Sequence, residues 1–152
     1  MIRRGGLEDV DAIVAVFERS FGTLDFLPAL HTHEEHIGFF GRCLAEGEAW
    51  VWDEDGIRGF AILRGGELSH LYVDPGEQAR GIGSALLDRA KERRPDGFTL
   101  WVFQQNEQAR RFYERRGLRL VKLTDGSGNE EQTPDALYEW RPDREENAGR
   151  AR

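Results

Sequence analysis

Apolar residues recur along the chain at two spacings, which predict a fold that mixes helices and strands. Spacing of three and four residues marks four helices, which begin near Val10, Thr32, Gly81 and Asn106. Short runs rich in β-branched and aromatic residues mark strands at residues 2–4, 49–52, 57–63, 68–73, 98–103, 118–123 and 136–140. We therefore expect an α/β (α+β) fold in which a central sheet of about seven strands is flanked by about four helices.

The connections between these runs indicate how the strands pair. Tight turns follow residues 49–52 and 57–63, so three consecutive strands are predicted to form an antiparallel meander. A helix then separates residues 68–73 from residues 98–103, and a strand–helix–strand crossover of this kind makes its two strands parallel. The predicted sheet is mixed and mostly antiparallel.

The second predicted helix accounts for a group of histidines. Thr32 and Glu35 fit a capping box, which places His33 and His36 in the first turn of that helix. Because no fourth ligand lies nearby, we expect no metal site here. His31 precedes the cap and follows an apolar connection, so it is either a wall of a substrate pocket or a surface histidine.

The stretch from Leu68 to Lys91 carries the clearest candidate for a binding site. A short strand ends at Asp74, a polar loop follows, and a helix begins at Gly81. Backbone N–H groups and the dipole at such a helix start attract anions, most often phosphate. The lysine of a nucleoside-triphosphate loop is absent, and Leu86 stands where a dinucleotide fingerprint has its third glycine. Both of these common phosphate-binding motifs are thereby disfavoured.

Two segments resemble the GNAT superfamily of N-acetyltransferases. Residues 78–83 form a Gln-x-x-Gly-x-Gly motif, which in that family wraps the pyrophosphate of acetyl-CoA. Residues 106–117 match a second family pattern, Asn-x-x-Ala-x-x-Phe-Tyr-x-x-x-Gly. The order of the two motifs and the distance between them also match. The resemblance implies a GNAT-like fold with acetyl-CoA as co-substrate.

The same resemblance assigns roles to individual residues. It implies cofactor contacts for Leu71, Tyr72, Val73, Gln78, Ala79, Arg80, Gly81, Ile82, Gly83, Ser84 and Asn106. The strand residues among them would lie along the pantetheine arm, and the Val73 N–H would face the carbonyl oxygen as it gains charge. Tyr113 would protonate the departing thiolate. Asn106 would contact the cofactor, cap its helix, or do both.

The sequence leaves open which group accepts the proton of the amine. His70 lies on the strand that borders the predicted site, but side chains alternate along a strand, so it faces either the site or the core. Glu130 and Glu131 lie on a long polar loop and are candidates for attracting an ammonium group and accepting its proton, directly or through water. Carboxylates on such loops are also commonly just solvated. Trp101 is a candidate wall of the acceptor pocket.

Composition narrows the function classes. The 152 residues suffice for one domain, which we place at residues 1–141, and the charged segment 142–152 is expected to be disordered. A net charge of −7 argues against a nucleic-acid binder. Cys43 is the only cysteine, the start of the sequence leads us to expect no signal peptide, and no apolar run is long enough to span a membrane. We therefore expect a cytoplasmic protein without a membrane partner, compatible with a homodimer.

The resulting hypothesis is an N-acetyltransferase that transfers an acetyl group from acetyl-CoA to a primary amine by direct attack in a ternary complex. The acceptor stays open among a small amine, an amino acid, an aminoglycoside-like compound and a peptide or protein amine. The alternative is a module that binds acyl-CoA without turnover, as a sensor or scaffold. The presence of Asn106 and Tyr113 favours the enzyme.

Overall fold

A seven-stranded sheet forms the centre of the molecule, in a computed structural model that describes residues 1–142. In chain order the strands are β1 (Ile2–Arg4), β2 (Glu48–Asp53), β3 (Ile57–Arg64), β4 (Glu67–Val73), β5 (Phe98–Phe103), β6 (Arg119–Leu123) and β7 (Asp135–Trp140). The helices are α1 (Val10–Phe21), α2 (His33–Glu46), α3 (Ile82–Arg93) and α4 (Glu107–Arg115). The predicted segment 142–152 lies, except for its first residue, outside the described residues.

The spatial order of the strands is β1-β2-β3-β4-β5-β7-β6. The pairs are antiparallel except for β4 and β5, which run parallel. The prediction of a mixed, mostly antiparallel sheet with four flanking helices is confirmed. Within residues 1–142, no helix combines the length and apolar character needed to cross a membrane.

Helices cover both faces of the sheet, which separates the buried core into two clusters. On one face α3 and α4 pack on the sheet around Leu86, Leu100 and Tyr138. On the other face α1 and α2 pack around Phe40 and Phe60. Apolar burial on both faces is the main favourable contribution to folding.

Local hydrogen bonds fix where the predicted helices begin and end. The Thr32 hydroxyl accepts a bond from the Glu35 N–H at 3.2 Å, and the Glu35 carboxylate accepts one from the Thr32 N–H at 2.8 Å. The Asn106 side chain accepts a bond from the Ala109 N–H at 3.3 Å. Gly117 follows α4 with a φ of 90°, which suits glycine best. The capping box, the N-cap and the glycine stop are all confirmed.

A β-bulge at Ser69 sets which way the side chains of β4 point. Ile62 pairs with His70 whereas the next residue of β3 pairs with Leu68, so Ser69 is the extra residue. Its hydroxyl donates to the Ile62 carbonyl at 3.2 Å. The extra residue shifts the alternation, so that Tyr72 faces the α1 and α2 side together with His70, while Leu68 and the residues flanking Tyr72 pack on the α3 and α4 side.

The parallel pair is short. Within the described chain, β4 and β5 pair at one register, Glu67 with Thr99. Beyond it the strands diverge and leave a gap in the middle of the sheet. The far end of β4 is held by α1 instead, because the Ser20 hydroxyl donates to the Val73 carbonyl at 2.7 Å and Arg19 forms an ion pair with Asp74.

Candidate active site

The gap between β4 and β5 exposes backbone groups in the interior of the sheet. The Asp74 N–H donates to the Arg58 carbonyl on the β3 side at 2.8 Å. Because N–H groups alternate sides along a strand, those of Leu71 and Val73 point away from β3 and into the gap. Side chains of β4, β5 and α4 enclose a cavity of about 90 Å³ there. A linear ligand with amide groups can bond to this edge as an added strand would.

Tyr113 lies beside this gap, on α4. Its side chain lines the cavity together with Asn106, and the residue is only 8% exposed. Burial raises the pKa of Tyr113, and its electrostatic interaction with Tyr72 raises it further. The phenol is therefore neutral at pH 7 and holds a proton that it can donate.

The start of α3 presents unpaired backbone donors. Gly81 caps the helix with a φ of 84°, and the first bond within the helix runs from the Ala85 N–H to the Gly81 carbonyl at 3.0 Å. The N–H groups of residues 82–84 have no partner within the helix. A Cβ at Gly83 would lie 3.3 Å from the Phe112 ring, so a larger side chain crowds both α4 and the helix start.

Two arginines near this helix start have different surroundings. The Arg80 guanidinium bonds to Glu54 at 2.9 Å and to Glu77. Arg116 instead brings its Nε within 3.3 Å of the Ser84 hydroxyl, which adds a positive charge beside the donors. Arg116 was not among the predicted site residues, because its position depends on how α4 packs against α3. A cation next to unpaired N–H groups is the arrangement that binds phosphate.

A larger cleft of about 1380 Å³ lies on the α1 and α2 side of the sheet. It is lined by all four residues that were predicted to contact the acceptor: His31, Trp101, Glu130 and Glu131. The carboxylates that line it are Glu18, Glu34, Glu35, Glu130, Glu131 and Asp135, whereas the Lys and Arg side chains are Arg42 and Lys122. Such an excess of negative charge favours a cationic acceptor.

The histidines near the cleft form pairs with carboxylates. His31 Nε2 lies 2.5 Å from Glu130 Oε1, which joins the segment before α2 to the loop between β6 and β7. His33 and His36 contact Glu18, with closest distances of 3.0 and 2.7 Å from Nδ1. Among residues 1–142, no group of three or more His, Cys, Asp or Glu is placed to hold a metal ion.

The gap and the cleft meet at β4 and β5. Six residues line both cavities: Ser69, His70, Tyr72, Trp101, Val102 and Phe103. Trp101 is 44% exposed, and Lys122 Nζ lies 5.7 Å from the centroid of its ring. A ligand in the gap and an acceptor in the cleft would therefore come into contact at this shared boundary.

His70 is held as a neutral imidazole. Its ring centroid lies 5.5 Å from that of Phe39 and 5.1 Å from that of Phe40. Burial lowers the pKa of His70 to about 4, and the charge of Arg64 acts in the same direction. The imidazole therefore faces α2 and the cleft, but it is a weak proton acceptor at neutral pH.

The comparison with known proteins decides the family. Residues 45–119 match a family described as Acetyltransferase (GNAT) domain. The chain is 35% identical over 125 residues to the peptidyl-lysine N-acetyltransferase YjaB of Salmonella typhimurium, which covers 79% of this chain and 83% of that protein. The chain belongs to the GNAT superfamily of N-acetyltransferases. As a GNAT member it is an acyltransferase, and the resemblance seen in its motifs is confirmed.

Other GNAT proteins extend the likeness over the whole fold. The peptidyl-lysine N-acetyltransferase YiaC of Escherichia coli is 36% identical over 99 residues, which cover 64% of this chain and 66% of that protein, just under two thirds of its length. The apo-form of YjaB from Escherichia coli superposes with a TM-score of 0.75 at 29% identity, covering 92% of this chain and 96% of that one. The PaiA N-acetyltransferase of Thermoplasma acidophilum, solved with coenzyme A, has a TM-score of 0.76 at 22% identity, covering 93% of this chain and 98% of that one.

Within this GNAT fold, the predicted residues form three groups. Leu71, Tyr72, Asn106 and Tyr113 line the gap, with the Val73 N–H directed into it. Residues 78–84 form the loop and first turn of α3, where Gln78 and Ala79 are exposed. The acceptor residues line the cleft. The individual roles of all these residues stay predictions.

Proposed function

We propose that this protein is an acetyl-CoA-dependent N-acetyltransferase that acetylates lysine side chains of peptides or proteins by direct attack in a ternary complex. The observation that carries the proposal is the junction of the two cavities. A gap with free backbone donors and a neutral Tyr113 opens, at Tyr72 and Trp101, into a cleft with excess negative charge. The donor and the acceptor of an acetyl group would meet there.

The residues around the gap suit acetyl-CoA. The N–H groups of Leu71 and Val73 match the amides of a pantetheine arm, which would lie against β4 as an added strand. Residues 82–84 and Arg116 offer donors and positive charge for the pyrophosphate. The relative PaiA, whose fold this chain shares, was solved with coenzyme A. Acetyl-CoA supplies the activated thioester when bound.

The remaining chemistry falls to the chain's own residues. As the amine nitrogen bonds to the acetyl carbon and the carbon–sulfur bond breaks, the Val73 N–H would stabilise the negative charge on the oxygen, an effect worth about 3 kcal/mol for one good donor. Tyr113 would give its proton to the departing thiolate. Glu131 or Glu130 would receive the proton released by the ammonium group, directly or through water, and pass it to solvent.

Lysine is the acceptor favoured by two observations. YjaB and YiaC, two relatives from enterobacteria, are peptidyl-lysine N-acetyltransferases. The cleft here has the negative charge that attracts an ammonium group, and the exposed Trp101 provides a flat surface for its aliphatic chain. A peptide acceptor is therefore preferred over an amino acid or an aminoglycoside.

Calorimetric titration with acetyl-CoA, alongside ATP and NAD, tests the cofactor. We expect saturable binding of acetyl-CoA alone. Gly83→Val should abolish it, because the side chain would enter the space against Phe112 at the helix start. Gly66→Val is the matched control, since a Cβ at Gly66 has no heavy atom within 4 Å. Binding of ATP or NAD without acetyl-CoA would overturn the proposal.

A peptide panel tests the acceptor and separates the enzyme from a sensor. The peptides share a blocked N-terminus and differ in one position, which is lysine, ornithine, arginine or acetyl-lysine. We expect free coenzyme A to be released with the lysine peptide and with none of the other three peptides. Binding of acetyl-CoA without turnover of any amine, including small amines and free amino acids, would identify a sensor or scaffold instead.

A further inference from the structure

Tyr72 occupies the point where the gap and the cleft join, and its ring is held in place. The ring lines both cavities. Its centroid lies 5.2 Å from that of Phe17 and 5.8 Å from that of Phe60, and His70 lies beside it at 6.3 Å. Aromatic contacts on three sides fix where the phenol points.

The hydroxyl of Tyr72 is available for a ligand. Among residues 1–142 no hydrogen bond to this hydroxyl is formed, and the described chain contains no fully enclosed side-chain oxygen or nitrogen that lacks a partner. The Tyr72 oxygen therefore reaches the cavity space. By contrast, the hydroxyl of Tyr138, another tyrosine of the sheet, accepts a bond from Arg110 at 3.0 Å and donates one to Glu114.

The bulge at Ser69 directs Tyr72 to the acceptor side. Leu71 and Val73 pack toward α3 and α4, whereas Tyr72 packs with Phe17 on the side of the cleft. Burial raises the pKa of Tyr72, and the negative charge of Glu131 raises it further, so the phenol stays protonated. Tyr72 and Glu131 both line the cleft, and Tyr72 also lines the gap, so the hydroxyl belongs to the junction of the two cavities.

We propose that the Tyr72 hydroxyl binds and orients the attacking amine. The amine N–H donates to the Tyr72 oxygen, which leaves the nitrogen lone pair directed at the gap, while the Tyr72 O–H is directed toward Glu131. This assignment rests on the proposed acetyl transfer to lysine. It gives Tyr72 a role distinct from that of Tyr113, which acts on the sulfur.

Tyr72→Phe tests the hydroxyl without removing the ring. With a lysine peptide as acceptor, kcat/KM for the peptide should fall about tenfold, the effect of one hydrogen bond. The Kd for acetyl-CoA should not change, because the backbone of β4 is intact. Tyr138→Phe is the matched control, since its hydroxyl lies outside both cavities, and it should leave kcat/KM for the peptide unchanged.

A binding measurement provides a readout that a purely structural role would not move. The probe is a bisubstrate analogue in which a –CH2–C(=O)– linker joins the sulfur of coenzyme A to the ε-nitrogen of the lysine peptide as a stable amide. Tyr72→Phe should raise its Kd about tenfold relative to the Kd for acetyl-CoA. A different result is that the unchanged protein and Tyr72→Phe share the same kcat/KM and the same ratio of the Kd for the analogue to the Kd for acetyl-CoA. That result would overturn the role of Tyr72 and leave the proposed function standing. Failure of the unchanged protein to bind acetyl-CoA would overturn the proposed function and this inference with it.

Discussion

The two sides of β4 differ sharply in how they are bonded. Toward β3, pairs run from Gly59 with Val73 to Arg64 with Glu67, and one bulge interrupts them. Toward β5, pairing in the described chain is limited to Glu67 with Thr99. The closed side uses its backbone groups to pair with β3, whereas the open side leaves the N–H groups of Leu71 and Val73 without a strand partner. In the proposed function, the cofactor would bond to the backbone groups that the sheet leaves unpaired.

If this contrast holds, changes on the open side should alter chemistry and changes on the closed side should alter stability. The largest effect is expected for Tyr113→Phe. Loss of the phenolic proton donor should lower kcat by about 10²–10³-fold, in the range of general acid catalysis. The ring and its packing remain, so the Kd for acetyl-CoA and the thermal midpoint should hardly move. Steady-state kinetics with a lysine peptide checks this, and an unchanged kcat would exclude Tyr113 as the acid.

Tyr138→Phe sharpens that result. The two rings lie 6.4 Å apart between centroids, but the Tyr138 hydroxyl is already bonded to Arg110 and Glu114. Its removal should cost about 1.5–3 kcal/mol of stability, the net value of a hydrogen bond to a charged group. It should leave kcat unchanged. A comparable loss of kcat in both variants would point to general disturbance of the core.

The second largest effect concerns pH and His70. In the unfolded chain the His70 imidazole takes up a proton near its ordinary pKa of 6.5. In the folded protein its pKa is lowered to about 4. The free energy of unfolding should therefore fall as pH drops through that window, by up to about 3 kcal/mol, since each pKa unit corresponds to about 1.4 kcal/mol. In His70→Phe, which cannot titrate, this part of the decrease should vanish. Denaturant unfolding of both proteins from pH 7.5 to 4.5 measures the difference. If the free energy of unfolding fell equally with pH in the two proteins, the His70 pKa would not be lowered by burial.

Gly59→Ala tests the closed side. A Cβ there would lie 3.0 Å from Ile82, 3.2 Å from Leu86 and 3.2 Å from the Tyr72 carbonyl. Such crowding between β3 and α3 should cost about 1–3 kcal/mol. Gly66→Ala, where nothing lies within 4 Å, is the control. Thermal unfolding measures both, and equal midpoints would mean that the β3–α3 contact relaxes freely.

The smallest effect is expected in the cleft. Glu131→Gln should lower kcat/KM for a lysine peptide by about tenfold or less, because it removes one charge near the acceptor. Glu130→Gln removes the charge that faces His31, in an exposed pair whose contribution to stability is about 0–1 kcal/mol. It should lower kcat/KM less than Glu131→Gln does. The reverse order would assign the proton acceptor to Glu130.

Features fixed by neighbouring residues were predictable from the sequence. The capping box at Thr32 and the stop at Gly117 involve bonds and backbone angles within a single turn. The start of α3 at Gly81 is likewise local, because a single left-handed glycine precedes the helix, and its role in binding an anion stays a prediction. Element order followed from these signals and from the apolar spacing.

Features fixed by packing between distant segments were not predictable. No glycine or proline marks the bulge at Ser69, so the face of β4 that carries His70 stayed open. Arg116 meets Ser84 across 32 residues, and His31 meets Glu130 across 99. Each contact depends on where a helix or loop settles on the sheet, which apolar spacing does not encode.

The divergence of β4 and β5 has a consequence for how the domain holds together. An open sheet has two edge strands, here β1 and β6. In this sheet the facing edges of β4 and β5 are also mostly unpaired, and they form a seam in its middle. The amide hydrogens of Leu71 and Val73 should thus exchange with solvent as quickly as those of an outer strand, although they lie at the heart of the molecule. A ligand that fills the seam would bridge the two halves of the sheet. Its binding would therefore raise the free energy of unfolding of the whole domain.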